Sequence, residues 1–319
     1  MRIGVSLPSG AEERAPGVNK IDSLVELSRE AATAGVSSVW ISQQFDHDAL
    51  SVAAVIGHEV PGLDVGTSVV PIFARHPVVV SAQAQTAQAA SHGRFTLGLG
   101  LGAPQFVEPV FGVSFARPIR HLREYLTVLG SLLATGSVDF AGETLTAATP
   151  MPAALAGAEP RVPVVVAAMG PQALRATGEL ADGTLPYLAG PKALAEFIVP
   201  TISQAARAAG RPSPRIVVAL AAVVTADAEA VRATAAEQMS FYLNVPSYRA
   251  VLEREGIDHP VELAVIGDEE TVAATIDSYI QAGATEIVLT NTGLNTAADR
   301  RRTWQLAGEL NRRSAPAPT

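Results

Sequence analysis

The sequence predicts an α/β fold, a (β/α)8 TIM barrel. Three observations carry that prediction. Short β-branched runs alternate with Ala-rich helical patterns, about eight of each. Alternation of this kind builds parallel strands joined by right-handed crossovers. A doubly wound sheet satisfies the same pattern, but the strand count and the length of 319 residues favour the closed barrel. With 48% of residues hydrophobic, the chain can bury a large core.

In chain order, "RIGVSL" is the first strand. Asp22 to Ala34 has a helical pattern closed by Gly35, a residue suited to the left-handed position past a helix end. "SSVWIS" is the second strand, and "ALSVAAVIGHEV" is the helix that follows it. "LDVGTSVV" is the third strand, Pro77 opens a helix ending near Ala90, and "RFTLGLG" is the fourth strand. Pro118 sits in the first turn of a helix that Gly136 ends. Residues 137–161, rich in Gly, Pro and Thr, break the rhythm and read as an irregular excursion within one domain spanning 1–319. "VPVVVAA" is the fifth strand, Pro171 to Leu180 a helix and "GTLPYL" a short sixth strand. A helix over Pro191 to Ala209 leads to "RIVVALAAVV", the seventh strand. Helical segments at Asp227 to Leu243, Ser247 to Glu255 and Thr271 to Ala282 precede "TEIVLT", the eighth strand, and a last helix over Arg300 to Asn311. The tail "RRSAPAPT" reads as a frayed end.

Composition excludes several function classes. The formal net charge is −8 and no basic stripe is visible, which argues against a nucleic-acid partner. Without cysteine there is no disulfide, no thiolate nucleophile and no Cys-bound metal; no metal site is expected. The start "MRIGVSLP" lacks the apolar core of a signal peptide, and no long uninterrupted apolar stretch predicts a membrane span. The expectation is a cytoplasmic protein acting on a small-molecule substrate.

The stretch "FTLGLGLGAP", Phe95 to Pro104, fits the dinucleotide fingerprint G-x-G-x-x-(G/A). Its surroundings speak against a nicotinamide dehydrogenase. The glycines end the fourth strand rather than the first, and Pro104 and Pro109 leave room for about one helical turn. The acid expected about 20 residues on should end a strand, whereas Glu124 lies within a helical pattern. Two readings stay open. The glycines let a loop turn, or they let backbone N–H groups approach an anionic or planar ligand at the C-terminal face of a barrel.

The run "ARHPVVVSAQAQTAQAASHGRFTLGLGLG", Ala74 to Gly102, resembles the luciferase-like monooxygenase superfamily. Arg75-His76-Pro77, the Gly93-Arg94 pair after a helix and the glycine-ended strand carry that resemblance. "VPVVVAAMGPQALRATGELADG" and "AVIGDEETVAATIDSYIQAGATEIVL" extend it over nearly the whole chain. Within the superfamily the chain looks most like the actinobacterial-type branch of coenzyme F420-dependent oxidoreductases. The resemblance implies a barrel with an insertion after the fourth strand, a cofactor ring at the C-terminal mouth, and a homodimer. It implies a bulge with a non-prolyl cis peptide at Ser68–Val69. It assigns the cofactor's phosphate and side chain to Gly100, Leu101, Gly102 and Ala103, and to Ala168, Met169, Gly170 and Pro171 at a helix start. Free N–H groups and the helix dipole favour an anion at such a terminus.

The chain departs from the sugar- and alcohol-acting relatives. Where those carry a histidine after the second strand, this sequence has "SQQF", with Gln44 in the histidine position. Where the sugar-acting ones carry a glutamate after the fourth-strand glycines, it has Ala103. An amide does not titrate in the useful range, so Gln44 serves as a hydrogen-bond donor and not as a general base. His47, between Asp46 and Asp48, is an alternative acid or base. Asp48 also suits the N-cap of the following helix, and His76 before Pro77 the entry to the next one. The resulting expectation is hydride transfer between coenzyme F420 and an organic substrate, leaning to reduction. FMN-dependent monooxygenation uses the same cradle, and a barrel that binds a cofactor without turnover remains a third reading.

Overall fold

The computed structural model describes residues 1–8, 17, 19–291, 294 and 296–314. The last five residues of the tail, where fraying is expected, lie outside the described residues. The fold class is the (β/α)8 barrel that the alternation predicts. Its residues cluster into two compact units, one of Met1–Trp40, Leu185–Pro200 and Arg215–Thr319, the other of Ile41–Thr184 and Thr201–Pro214. No helix among the described residues is long and apolar enough to cross a membrane.

In the first unit, the strand Ile3–Ser6 pairs in parallel with Glu286–Thr290, with Gly4 opposite Val288. Glu286–Thr290 pairs in turn with Arg215–Val224, Ala219 opposite Val288. Nine of the ten residues of Arg215–Val224 are buried. A strand covered on both faces reads as a continuous apolar run, which is why "IVVALAAVV" has no alternation. The helix Lys20–Ala34 begins two residues before the expected Asp22, where Asn19 accepts from the N–H groups of Ile21 and Asp22, and Gly35 closes it as expected, at φ +90°. Asn311, on the helix Ala297–Ser314, donates to the carbonyls of Ile3 and Gly35 and accepts from the Ile3 N–H, fastening that helix to the first strand.

In the second unit, the strand Asp64–Thr67 pairs in parallel with Phe95–Gly100, Val65 opposite Phe95. Phe95–Gly100 pairs with Val164–Val166, Gly98 opposite Val165, and Val164–Val166 with Gly183–Thr184. The helices Ala49–Glu59, Pro77–Ala90, Pro118–Thr135 and Pro171–Leu180 stand where the sequence places them. The Gly93-Arg94 pair has a structural task. The Arg94 guanidinium donates to the carbonyls of Gly57 at 2.8 Å, Val60 at 3.4 Å and Leu63, holding the C-terminal end of Ala49–Glu59 to the start of Phe95–Gly100. Fully buried Gln88 accepts from the Phe95 N–H and donates to the Pro160 carbonyl.

The third strand breaks at Ser68 and Val69, where the resemblance implies a bulge, and continues as Val70–Pro71. The structure corrects the expectation in four places. A two-turn helix, Pro104–Phe111, follows the glycine run despite Pro109 inside it. Pro109 removes one N–H late in an exposed helix, where water can satisfy the carbonyl it leaves. Residues 137–161 are not irregular throughout, because Asp139–Ala141 and Thr146–Ala148 form an antiparallel hairpin. The helix over 191–208 contains a π-helical turn at Leu194–Ile198, just before Pro200. A further short strand, Val265–Gly267, pairs with Arg215–Val224; three residues are too few to show a period.

Candidate active site

Parallel strands bring their C-terminal ends to one edge of a sheet. In the second unit, residues 42–48, 68–69, 101–103 and 168–171 all follow C-terminal strand ends. Barrels of this class place their chemistry at that face.

Ser68–Val69 is a cis peptide. The Ser68 N–H donates to the Ile41 carbonyl at 2.8 Å, and the Ser42 hydroxyl donates to the Ser68 carbonyl at 3.1 Å. Beneath the bulge, the fully buried Thr67 hydroxyl donates to the Gly98 carbonyl and accepts from the Gly98 N–H, both at 2.9 Å. A Cβ on Gly98 would overlap the Thr67 carbonyl oxygen, and one on Gly100 would press on a Val69 methyl. Two of the three glycines thus make room for the bulge, a role outside both sequence readings. Gly102 does turn the chain, at φ +74°. Any cradle here is formed by the main chain of Leu101, Gly102 and Ala103, where Ala103 is the N-cap of Pro104–Phe111 without a side-chain capping bond.

The second segment is a cleaner anchor. Gly170 is the N-cap of Pro171–Leu180, again with no side-chain cap, and Pro171 occupies the first helical position. A Cβ on Gly170 would meet nothing within 4 Å. Its backbone, at φ −83° and ψ 154°, is ordinary extended chain. Glycine is therefore not demanded by conformation, and the space over it is open. The first N–H groups of an α-helix have no partner within the helix. Ala168 and Met169 have buried side chains, so a ligand at this face would meet their backbone. The Thr184 hydroxyl lies 2.9 Å from the Val166 carbonyl and 3.0 Å from the Ala168 carbonyl and shares its one proton between them.

The loop after the second strand is knotted by Gln43, which the sequence reading passed over. Its amide donates to the carbonyls of Gln44 at 2.7 Å and His47 at 2.8 Å, and accepts from the Ala49 N–H and the Arg75 guanidinium. Arg75 also pairs with Asp48 at 2.5 Å. The signal for this brace was Arg75 itself, within the Arg75-His76-Pro77 block. Asp48 caps Ala49–Glu59 through the Ser51 N–H and hydroxyl. Burial opposes its ionisation, but the bonds from Ser51 and Arg75 outweigh it and hold its carboxyl below the usual range. His76 caps Pro77–Ala90 through the Val78 N–H and reaches the Thr146 carbonyl. The His47 ring is 7% exposed, with Nδ1 at 2.7 Å from Asp46. A carboxylate there orients the imidazole and leaves Nε2 for other chemistry. The Gln44 side chain is half-buried and has no hydrogen-bond partner among the described residues.

The model of the luciferase-like monooxygenase family matches residues 1–286. A 5,10-methylenetetrahydromethanopterin reductase from Methanolobus tindarius is 29% identical over 246 residues, 76% of this chain and 74% of that protein. The coenzyme F420-dependent tetrahydromethanopterin reductase from Methanopyrus kandleri has the same fold, with a TM-score of 0.79 at 21% identity over 97% of both chains. So does the oxygenating constituent of 3,6-diketocamphane monooxygenase from Pseudomonas putida in complex with FMN, with a TM-score of 0.74 at 16% identity over 100% of this chain and 99% of that one.

Proposed function

The chain belongs to the luciferase-like monooxygenase family, and on that premise we propose that it is a coenzyme F420-dependent oxidoreductase that reduces an organic substrate by hydride transfer. The observation that carries the cofactor is the uncapped helix start at Gly170, with open space where a side chain would stand. Free N–H groups and the helix dipole suit an anionic phosphate there. The residues present fit the group: Gly170 and the helix start it opens would hold the phosphate. The main chain of Gly100, Leu101, Gly102 and Ala103 would line its side chain, and Ser68 and Val69 would support the ring. Reduction of a tetrahydromethanopterin derivative by the relatives named above supports the deazaflavin reading.

A bound deazaflavin supplies hydride chemistry at carbon and does not readily activate oxygen. The protein's own work is then positioning and proton management. Gln44, whose amide has no hydrogen-bond partner among the described residues, donates a hydrogen bond that orients and polarises a substrate carbonyl. As the imidazolium, with Nδ1–H held by Asp46, His47 would donate its Nε2 proton to the reduced product and be left neutral. No carboxylate stands at Ala103 to assist oxidation of an alcohol, which favours reduction.

A second reading, FMN-dependent monooxygenation, is favoured by the likeness to the FMN-bound Pseudomonas putida structure. Titration of the purified protein with coenzyme F420 and with FMN, read by absorption and fluorescence, separates the two. Saturable binding of F420 in preference to FMN is the expected result, and the reverse preference sinks the deazaflavin reading. Turnover of reduced F420 across a panel of carbonyl compounds and enones separates an enzyme from a cofactor-binding barrel.

A further inference from the structure

The tip of the hairpin formed by Asp139–Ala141 and Thr146–Ala148 is held by two titratable side chains of the helix Pro118–Thr135. One is Glu124, which accepts from the N–H groups of Glu143, Thr144 and Leu145 and from the Thr144 hydroxyl. The other is His121, whose Nδ1 lies 3.1 Å from the same hydroxyl. A threonine hydroxyl has one proton. Thr144 gives it to the Glu124 carboxylate at 2.6 Å, so towards His121 it can only accept. Nδ1 therefore carries the imidazole proton, and in the neutral ring Nε2 is a bare acceptor. That atom is buried and has no hydrogen-bond partner among the described residues. The ring is stacked on Phe73, with centroids 4.4 Å apart, and Phe115 lies against Phe73 at 4.7 Å.

We infer that His121 is a proton-operated latch: as the neutral ring protonated at Nδ1 it fastens the hairpin tip at Thr144 to Pro118–Thr135, and a proton taken up at Nε2 drives the ring out of the Phe73 stack and frees that contact. A buried charge whose second N–H lacks a well-formed bond costs free energy, and moving the ring into water relieves it. Burial lowers the pKa of His121 from the ordinary 6.5, and the Ile72 carbonyl and the Glu124 carboxylate offset only part of that. The other charged groups nearby have partners of their own. On the hairpin, Glu143 pairs with Arg117 and Arg120, each at 2.8 Å. Beyond Phe73, Arg75 pairs with Asp48, and His76 reaches the Thr146 carbonyl. Glu108 accepts from the Phe115 N–H at 3.1 Å. Tyr125, on the same helix, is kept neutral by burial. The folded state thus binds the His121 proton more weakly than the unfolded chain does. The stability that the latch lends is present above pH 6.5 and is lost as pH falls below it. Glu124 stays ionised through that range, since its own pKa is about 2, so the released tip is held by Glu124 alone.

NMR of the full chain tests this. Imidazole nitrogen spectra read the tautomer and titration of His121, and backbone amide shifts of residues 139–148 read the hairpin. Near neutral pH His121 should be protonated at Nδ1 alone, and its second proton should arrive with a midpoint below 6.5. The amides of Gly142 to Leu145 should shift with that same midpoint and lose protection from exchange. His121→Gln keeps a donor for Thr144 but cannot titrate, and His121→Phe keeps the stack alone. In both the shift should vanish, whereas His76→Gln should retain it. A ring protonated at Nε2 near neutral pH overturns the inference, as does a midpoint at or above 6.5. So does a hairpin that stays still while His121 titrates, or one that shifts equally in wild type and both His121 variants. Tautomer and midpoint are read on the wild-type chain, so they decide the matter even where a variant does not fold.

Discussion

Thr67 and Gly98 hold each other through one hydroxyl: Thr67 Oγ1 donates to the Gly98 carbonyl and accepts from the Gly98 N–H. Both residues are buried, so the partners have no access to water. Thr67→Val, nearly isosteric, should leave both Gly98 groups orphaned and cost about 2–6 kcal/mol, from about 1–3 kcal/mol per buried unsatisfied group. Thr67→Ser should recover most of it. Urea unfolding of the three proteins reads the difference.

Gly170→Val should cost folding no more than about 1 kcal/mol, because valine is a poorer N-cap but the backbone is ordinary and a Cβ there meets no atom within 4 Å. The same side chain fills the space assigned to the phosphate. Coenzyme F420 affinity should fall by about tenfold or more, about 1.4 kcal/mol. A folded variant with wild-type affinity would move the phosphate to another segment.

Glu124 gives the chain an acid-sensitive stability. Burial alone would raise its pKa, but the Thr144 hydroxyl and the N–H groups of Glu143, Thr144 and Leu145 bring it from 4.5 down to about 2. A depressed folded pKa adds stability above the unfolded value, and that stability is lost as pH falls from about 4.5 towards 2. Glu124→Gln should be less stable near neutral pH, by about 1–3 kcal/mol. Its unfolding free energy should also change less across that acid window. Denaturant midpoints measured against pH for both proteins check the slope.

Gln44→Ala should lower kcat/KM by the worth of one neutral hydrogen bond, about 0.5–1.5 kcal/mol. A loss of about 10⁴-fold would mean that Gln44 does more than orient. Gln44→His should not by itself produce an alcohol or sugar dehydrogenase, since Ala103 still offers no carboxylate. Steady-state kinetics with one confirmed substrate settles both.

Much of this architecture is legible in the chain because its signals are local. Gly35, Gly136, Asp48 and Pro171 mark helix ends by chemistry that acts over a few residues. The purpose of Gly98 and Gly100 is not local. It depends on Thr67 and Val69 some thirty residues earlier, in a neighbouring strand segment. Gln43 is similarly silent, since an amide becomes a hub only when Arg75 and the loop carbonyls fold around it. The helix Pro104–Phe111 was hidden by Pro109, which argues locally against a helix that the structure tolerates near its exposed end. Phe45 and Phe111 lie 66 positions apart in the sequence (111 minus 45) and show no pattern until their rings face one another.

The helix Ala49–Glu59 is held by an arginine at either end, Arg75 through Asp48 and Arg94 through the carbonyls of Gly57 and Val60. Both tethers run to other elements, and the Asp48 carboxylate at the N-terminus and the Arg94 guanidinium at the C-terminus each stand where the helix dipole prefers them. A helix anchored this way cannot fray from one end. Its amide protons should therefore exchange with solvent only when the neighbouring strand and the Pro77–Ala90 helix also open, as one cooperative unit rather than as a terminus-first ladder. The loop that carries Gln44, Phe45 and His47 inherits that slow exchange at its C-terminal root.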